Sequence, residues 1–348
     1  MSKGIVYVIL GESMIRGFAL AAAIGLACTA FTAPAAVASS GPAPCDWEVS
    51  KVPAPFGYED RSTDVKGTDS HGNYAGTSLR PGANTNDVVL WTDGKPRVVP
   101  EFAHLQWLQV ADENSAGTVL VNGYLPAESR WTALQYAGGH QGAGTISELV
   151  APAGYRTSNA MSINSRGDVL GSGTRIATGE SVTLLWPTLA AGPQVIEWSV
   201  GFPQDLDDDG AVLFRDPTGN GGHVWRNGVV LPLEHRGKRQ FVQAIRGGKV
   251  VGHELSSWPN AQAVLWDSTG AVAPIDGGGS AYAINAGGLI TGQRSSLTGK
   301  AAVWRDTAFE AELPLPDGVS GVSELFVVGA DDSLFSKSGS GPLRWSCE

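Results

Sequence analysis

Residues 281–316 read AYAINAGGLITGQRSSLTGKAAVWRDTAFEAELPLP. Four short apolar runs, AYAIN (281–285), LITGQR (289–294), KAAVW (300–304) and EAELPLP (310–316), are separated by turn-forming residues. The stretch therefore predicts four consecutive antiparallel strands. Its tryptophan has counterparts along the chain. Trp91, Trp131, Trp186, Trp225, Trp266, Trp304 and Trp345 follow one another at intervals of 38 to 41 residues, with one longer interval of 55. Upstream of each lies a second recurring turn, clearest in INSRGDVLG (163–171) and INAGGLITG (284–292). Its glycine returns as Gly72, Gly117, Gly167, Gly210, Gly248 and Gly288, with Asp332 in the seventh place.

Four short strands in every ~40 residues are the signature of a β-propeller blade. A sheet that is apolar on both faces needs a neighbour on each side, and a ring of sheets supplies them while leaving only short edges. The expected fold is all-β, a seven-bladed β-propeller. Each tryptophan is expected to wedge between adjacent blades, and each turn glycine to supply a positive φ. The seventh unit offers only three strands, in LFVVGA (325–330), SLFSKS (333–338) and LRW (343–345). Its outer strand is expected from WEVSKV (47–52), so that the N-terminal strand completes the last blade.

The cysteines fit that closure. Cys28, Cys45 and Cys347 are the only ones, and Cys28 falls in an apolar leader. Cys45 stands two residues before Trp47, and Cys347 two residues after Trp345, where other units turn into their outer strand. In an oxidising compartment the two are expected to pair and seal the ring. The leader itself reads as a secretory signal over residues 1–38, with Met14 as an alternative start. Arg16 precedes an apolar run, Pro34 breaks it, and Ala36-Val37-Ala38 suits cleavage. Gly25-Leu26-Ala27-Cys28 loosely matches a lipobox, which makes lipid anchoring at Cys28 the competing reading. Residues 39–44 then form a short linker, and 45–348 the propeller domain. No membrane span is expected in the mature chain.

Of 348 residues, 46 are Gly and 20 are Pro, a richness in turn formers that argues against a helical bundle. The net charge of −10 disfavours a nucleic-acid partner. Arginine outnumbers lysine and Ala and Gly abound, which is compatible with a high-GC bacterium.

The alternation of "IN-x-x-G-x-x-x-G" with a downstream aromatic-Trp-turn resembles the HAF-repeat extracellular proteins. The resemblance covers most of residues 60–345 and is clearest in SINSRGDVLG, AIRGGKVVG and AINAGGLITG. This chain departs from the pattern in two ways. No His stands four places before the tryptophans, and VADENSAGTVLVNG and LDDDGAVLF lack the second glycine. What the resemblance implies is a secreted repeat protein; it brings no catalytic residues.

The sharpest local candidate for chemistry is Asp205-Leu206-Asp207-Asp208-Asp209-Gly210. Asp205, Asp207, Asp209 and Gly210 match the opening of a D-x-D-x-D-G calcium loop, with Asp216 at its twelfth place. The segment also occupies the repeat's turn. There Asp69, Asn114, Asn164 and Asn285 stand three residues before the glycine, and a short Asx side chain can bond the turn backbone with no Ca²⁺. The sequence supports both readings, and no other cofactor is expected. The six histidines show no metal-binding spacing, and neither a nucleophile elbow nor a phosphate-binding loop is present. Trp107, Trp198 and Trp258 lie outside the repeat, where loop tryptophans can stack on sugars or grip a partner, or equally be buried under a long loop. The long interval between Trp131 and Trp186 holds an insertion over 136–156.

Three classes of function follow. The favoured one is a secreted, monomeric binding module for an extracellular protein or envelope polysaccharide, because propeller loops form a broad face. A structural repeat protein without a ligand is the second. A lyase or hydrolase with its site in the central funnel is the third, and it requires titratable groups converging from several inner strands. Those strands are mainly Ala, Ile, Val, Ser and Asn, with Gln243 and Arg246 as the polar exceptions.

Overall fold

A computed structural model describes residues 45–189, 192–197 and 201–347. The signal segment, the linker, Cys28 and Trp198 lie outside the described residues. The rest forms seven four-stranded antiparallel sheets in a ring. Each inner strand comes first in its blade. Blade 1 is Thr63–Thr68, Tyr74–Leu79, Asn86–Thr92 and Lys95–Val98. Blade 2 is Gln106–Glu113, Val119–Leu125, Arg130–Ala137 and Thr145–Glu148. Blade 3 is Tyr155–Ile163, Val169–Arg175, Ser181–Trp186 and Gln194–Glu197. Blade 4 is Phe202–Leu206, Val212–Arg215, Gly222–Arg226 and Val229–Pro232. Blade 5 is Arg239–Arg246, Lys249–Ser257, Asn260–Trp266 and Val272–Pro274. Blade 6 is Gly278–Ile284, Leu289–Arg294, Ala301–Arg305 and Ala308–Glu312.

Blade 7 is Val322–Val328, Leu334–Ser338 and Gly341–Cys347, completed by Trp47–Lys51. The register runs from Trp47 opposite Cys347 to Lys51 opposite Leu343. Cys45 and Cys347 are disulfide-bonded across 302 residues, with Cα atoms 5.5 Å apart. On the chain-entropy account, closing so long a loop stabilises the fold by roughly 5–6 kcal/mol.

Seven hydrophobic clusters hold the ring, one at each blade interface among the described residues. The repeat tryptophan of a blade faces the preceding blade. Trp266 packs with Leu213 and Val224 of blade 4, and Trp304 with Val251 and Leu265 of blade 5. Its indole N–H then donates to the connector that joins the two blades. Trp91 bonds the Pro53 carbonyl, Trp186 that of Val150, Trp266 that of Glu234, Trp304 that of Asp276 and Trp345 that of Pro314, all at 2.7–3.1 Å. Trp91, Trp266, Trp304 and Trp345 have no exposed surface, whereas Trp186 and Trp225 are half-buried.

Trp131 departs from this scheme. It sits at the opposite end of its strand, opposite Tyr124, and is 41% exposed. The equivalent place in blade 2 belongs to Tyr136, which faces Val119 as Trp266 faces Val250. Tyr136 is fully buried, packs edge-on against Phe102, and donates its hydroxyl proton to Glu101 of the connector at 2.9 Å. A phenol does there what the indole does elsewhere.

Both recurring glycines have a cause. The turn glycine adopts positive φ at all six positions, and Asp332 does so at φ 61 in the seventh. The second glycine lies opposite a bulge in the inner strand. A Cβ at Gly292 would come within 1.9 Å of the Ser280 carbonyl, and one at Gly252 within 2.0 Å of that of Phe241. Blades 2 and 4, which lack this glycine, place Val121 and Phe214 in that row instead.

Trp304→Phe keeps the packed ring but removes the bond to Asp276, so denaturant unfolding is expected to show a loss of about 1 kcal/mol. Trp304→Ala is expected to cost about 3–5 kcal/mol. Trp131→Ala should cost far less than Trp304→Ala; equal losses would contradict the different placement of the two rings.

Candidate functional site

The antiparallel order of a blade puts its first-to-second and third-to-fourth turns on one face of the ring, the turn face. The second-to-third loops and the blade connectors lie on the other, the connector face. Each face carries one candidate site.

On the turn face the Asx residues form a girdle around the channel. Asn114 Oδ1 accepts the N–H groups of Ala116 and Thr118, and Asn164 Oδ1 those of Arg166 and Asp168. Asp69 and Asn285 cap their own turns likewise. The amide nitrogens reach to the next blade: Asn114 Nδ2 donates to the Asn164 carbonyl, Asn164 Nδ2 to that of Asp207, and Asn285 Nδ2 to that of Gly329. Blade 5 has no Asx there. Its Gly247-Gly248 hairpin is capped from blade 4, because the Asp207 carboxylate accepts both N–H groups at 2.8 and 2.7 Å.

In this arrangement each carboxylate of the acidic segment has a protein partner. Asp205 accepts bonds from Ser162, from the Leu206 N–H and from the Ile245 N–H. Asp207 caps blade 5, Asp209 pairs with Arg226, and Asp216 holds both the N–H and the hydroxyl of Thr218. The four carboxylates point to different protein donors rather than to one centre. Among the described residues no three His, Cys, Asp or Glu side chains are grouped as a metal site.

Within the girdle is a cavity of about 120 Å³ to which all seven blades contribute. It holds Asp112, Glu113 and Asp208, with Arg246 as its cation. Asp112 Oδ2 accepts the Ile163 N–H at 2.9 Å and lies 3.2 Å from the Ser162 hydroxyl, which also reaches Asp205 at 2.9 Å. One hydroxyl proton thus serves two carboxylates. Enclosure by the inner strands pushes the Asp112 carboxyl up to about 7 against the Ile163 bond and the Arg246 charge, which favour ionisation. Burial also works against the charge of Arg246, but the field of Asp205, Asp112, Asp208 and Asp207 holds it above the ordinary guanidinium value. Arg246 donates to the Leu206 carbonyl at 2.5 Å. The cavity has room for about four waters by volume, too little for a polymer or a drug-sized substrate.

Beside the girdle, the turn at 138–144 within the 136–156 insertion folds back on blade 1, and the rest of the insertion supplies the outer strand Thr145–Glu148 and the connector to blade 3. Arg97 bonds the carbonyls of Gly139 and Gly142. His140 lies between Thr92 Oγ1, 3.0 Å from Nδ1, and Glu113 Oε1, 2.7 Å from Nε2. Burial raises the Glu113 carboxyl, and its second oxygen has no described partner. Two further histidines are lowered by burial: His223, and His253 to about 4.

The connector face is different. Trp107, 49% exposed, and Trp131, 41% exposed, flank Tyr124 in an open aromatic cluster at the edge of blade 2. Trp258, also on this face, is 69% exposed in the hairpin of blade 5. Of the loop tryptophans, then, Trp107 and Trp258 are exposed, and Trp131 joins them from the repeat set. The inner-strand acids Asp112 and Glu113 were not singled out from the sequence. Aligning the turns on their Asx residue picks out Asp112, since Asp112, Ser162 and Asp205 all stand two places before it; Glu113 has no such signal.

No family model matches the chain, and no curated protein matches it. Solved structures do. A streptogramin B lyase is 13% identical over 87% of this chain and 98% of its own, with a TM-score of 0.53. An oligogalacturonate lyase in complex with manganese is 11% identical over 87% and 96%, with a TM-score of 0.55. The β-propeller domain of the Trilobed protease from Pyrococcus furiosus, described as having an open velcro topology, is 11% identical over 74% and 82%, with a TM-score of 0.52. At such identities the likeness establishes the shared propeller fold alone. In this chain, by contrast with the last, strand Trp47–Lys51 closes the ring.

Because the folded Asp112 carboxyl titrates near 7 rather than near its ordinary 3.8, the stability of its protonated form is fully present below about pH 4. It is lost as the pH rises through about 7, with a slope of at most about 1.4 kcal/mol per pH unit. Asp112→Asn is expected to remove that fall when thermal unfolding is followed from pH 4.5 to 8. An unchanged difference between variant and parent across this range would contradict the assignment.

Proposed function

We propose that this chain is a secreted binding module of the HAF-repeat kind, which engages an extracellular protein or envelope polymer through its connector face. The observation that carries the reading is the exposed pair Trp107 and Trp131, packed around the half-buried Tyr124. Large aromatics exposed together on a folded surface are a feature of binding sites. Export is supported by the Cys45–Cys347 bond, since such bonds persist in oxidising compartments. A funnel enzyme is the weaker reading, because the channel cavity is small and the Asp112 and Asp208 carboxylates in its wall are engaged with the Ile163 and Ser165 N–H groups.

The test is capture from culture medium and envelope fractions on immobilised protein, with Trp107→Ala/Trp131→Ala and Asp112→Asn variants in parallel. The parent and Asp112→Asn should retain the same ligand and the aromatic variant should lose it. Equal capture by all three, or none by any, would refute the reading.

A further inference from the structure

We infer that Trp107, Tyr124 and Trp131 form a stacking platform for a neutral pyranose chain, flanked by the amides of Asn84 and Gln109. This deepens the binding role proposed above and rests on it.

The first observation is conformational. Trp107 has φ +50, a left-handed backbone that is a genuine outlier for so bulky a residue. It is held there by the bulge between Gln106 and Gln109 and by its N–H, which donates to Thr85 Oγ1 at 2.7 Å. The same bulge turns Leu108 into the core between blades 1 and 2, while the indole of Trp107 stays half exposed. Unfavourable backbone conformations that persist on a surface are concentrated at ligand sites.

The second is the shape of the cluster. The Trp107 ring centroid lies 4.9 Å from that of Tyr124 and 5.9 Å from that of Trp131, and the two indole planes meet at 32°. The two indoles and the phenol thus form one contiguous aromatic cluster. Bound to one strained residue and two strand residues, this cluster is formed before any ligand arrives, which lowers the ordering cost of binding.

The third is the chemistry of the walls. The adjoining groove, about 390 Å³, is lined by Trp107 and Trp131 together with Asn84, Thr85, Asn86 and Gln109 and contains no charged side chain. The side chains of Asn84 and Gln109 are exposed and make no bond to another described residue. Nearby cations are already engaged: Arg130 with Glu128 and Glu148, and Arg80 with Tyr58 and Asp87. A pyranose offers an apolar C–H face for the indoles and a hydroxyl edge for amides, which both donate and accept. A uronate or sulfated chain would find no free cation here and would meet a chain of net charge −10.

The experiment is calorimetric and fluorescence titration of the full chain with cellohexaose, laminarihexaose, mannohexaose and N-acetylchitohexaose, and with an oligogalacturonate of equal length as the anionic probe. At least one neutral hexasaccharide should bind saturably and shift tryptophan emission. Affinity should fall about tenfold or more in Trp107→Ala and, separately, in Trp131→Ala. It should fall a few-fold in Gln109→Ala and stay unchanged in Trp258→Ala, with circular dichroism reporting that each variant is folded. Failure of all four neutral probes, binding undiminished in both tryptophan variants, or preference for oligogalacturonate would overturn the inference. If envelope capture depends on Trp107 while no neutral probe binds, the glycan assignment falls and the binding role stands. Capture independent of both tryptophans removes both.

Discussion

An aromatic ring laid on the preceding blade, its polar edge held by the connector between them, is the contact on which this fold depends. A four-stranded sheet with two apolar faces cannot stand alone in water. Packing the blades covers those faces, but packing alone fixes neither their order nor their angle. The bond from the ring's polar edge to the connector supplies that constraint at six of the seven interfaces, five times by an indole and once by Tyr136 with Glu101. The connector of blade 4, where Trp225 sits, falls partly outside the described residues. Ring closure then follows from the same interaction. Trp91 bonds Pro53, just beyond the strand that completes blade 7, so the N-terminal segment is held by the last blade and by the first.

The two faces of the ring divide along lines their side chains dictate. On the turn face nearly every carboxylate and amide is engaged with a turn of its own blade or the next, and the residual cavity is small. Buried polar groups satisfied in this way fix geometry and leave little capacity for a ligand. On the connector face the Asn84 and Gln109 side chains near Trp107 remain open to solvent, and the backbone at Trp107 is strained.

Much of this architecture was legible in the sequence, because tryptophan and glycine are hard to replace where a ring must fill an interface or φ must be positive. The blade count, the three-strand seventh unit and the pairing of Cys45 with Cys347 all follow from those two residue types. Trp131 shows where the rule fails. The regular interval marks tryptophans and carries no trace of a tyrosine in the same role, so it points to Trp131 although Tyr136 fills the interface. The channel acids were obscured for a different reason. Asp112 and Glu113 are ordinary residues in sequence, and only the inward course of seven inner strands brings Asp112 toward Ser162, Asp205 and Arg246. The Asx girdle was half legible: its local turn bonds follow from the repeat, whereas its cross-blade bonds exist only once the ring has closed.

The most direct test of the closed ring is thermal unfolding of a chain lacking residues 45–51 beside the full chain. Its loss removes a paired strand, the disulfide and the anchor of the segment that Trp91 bonds, so the truncated protein should melt many degrees lower, with blades 1 and 7 exchanging amide hydrogens first. A truncated chain that melts with the parent and protects Gly341–Cys347 equally would contradict closure by the N-terminal strand.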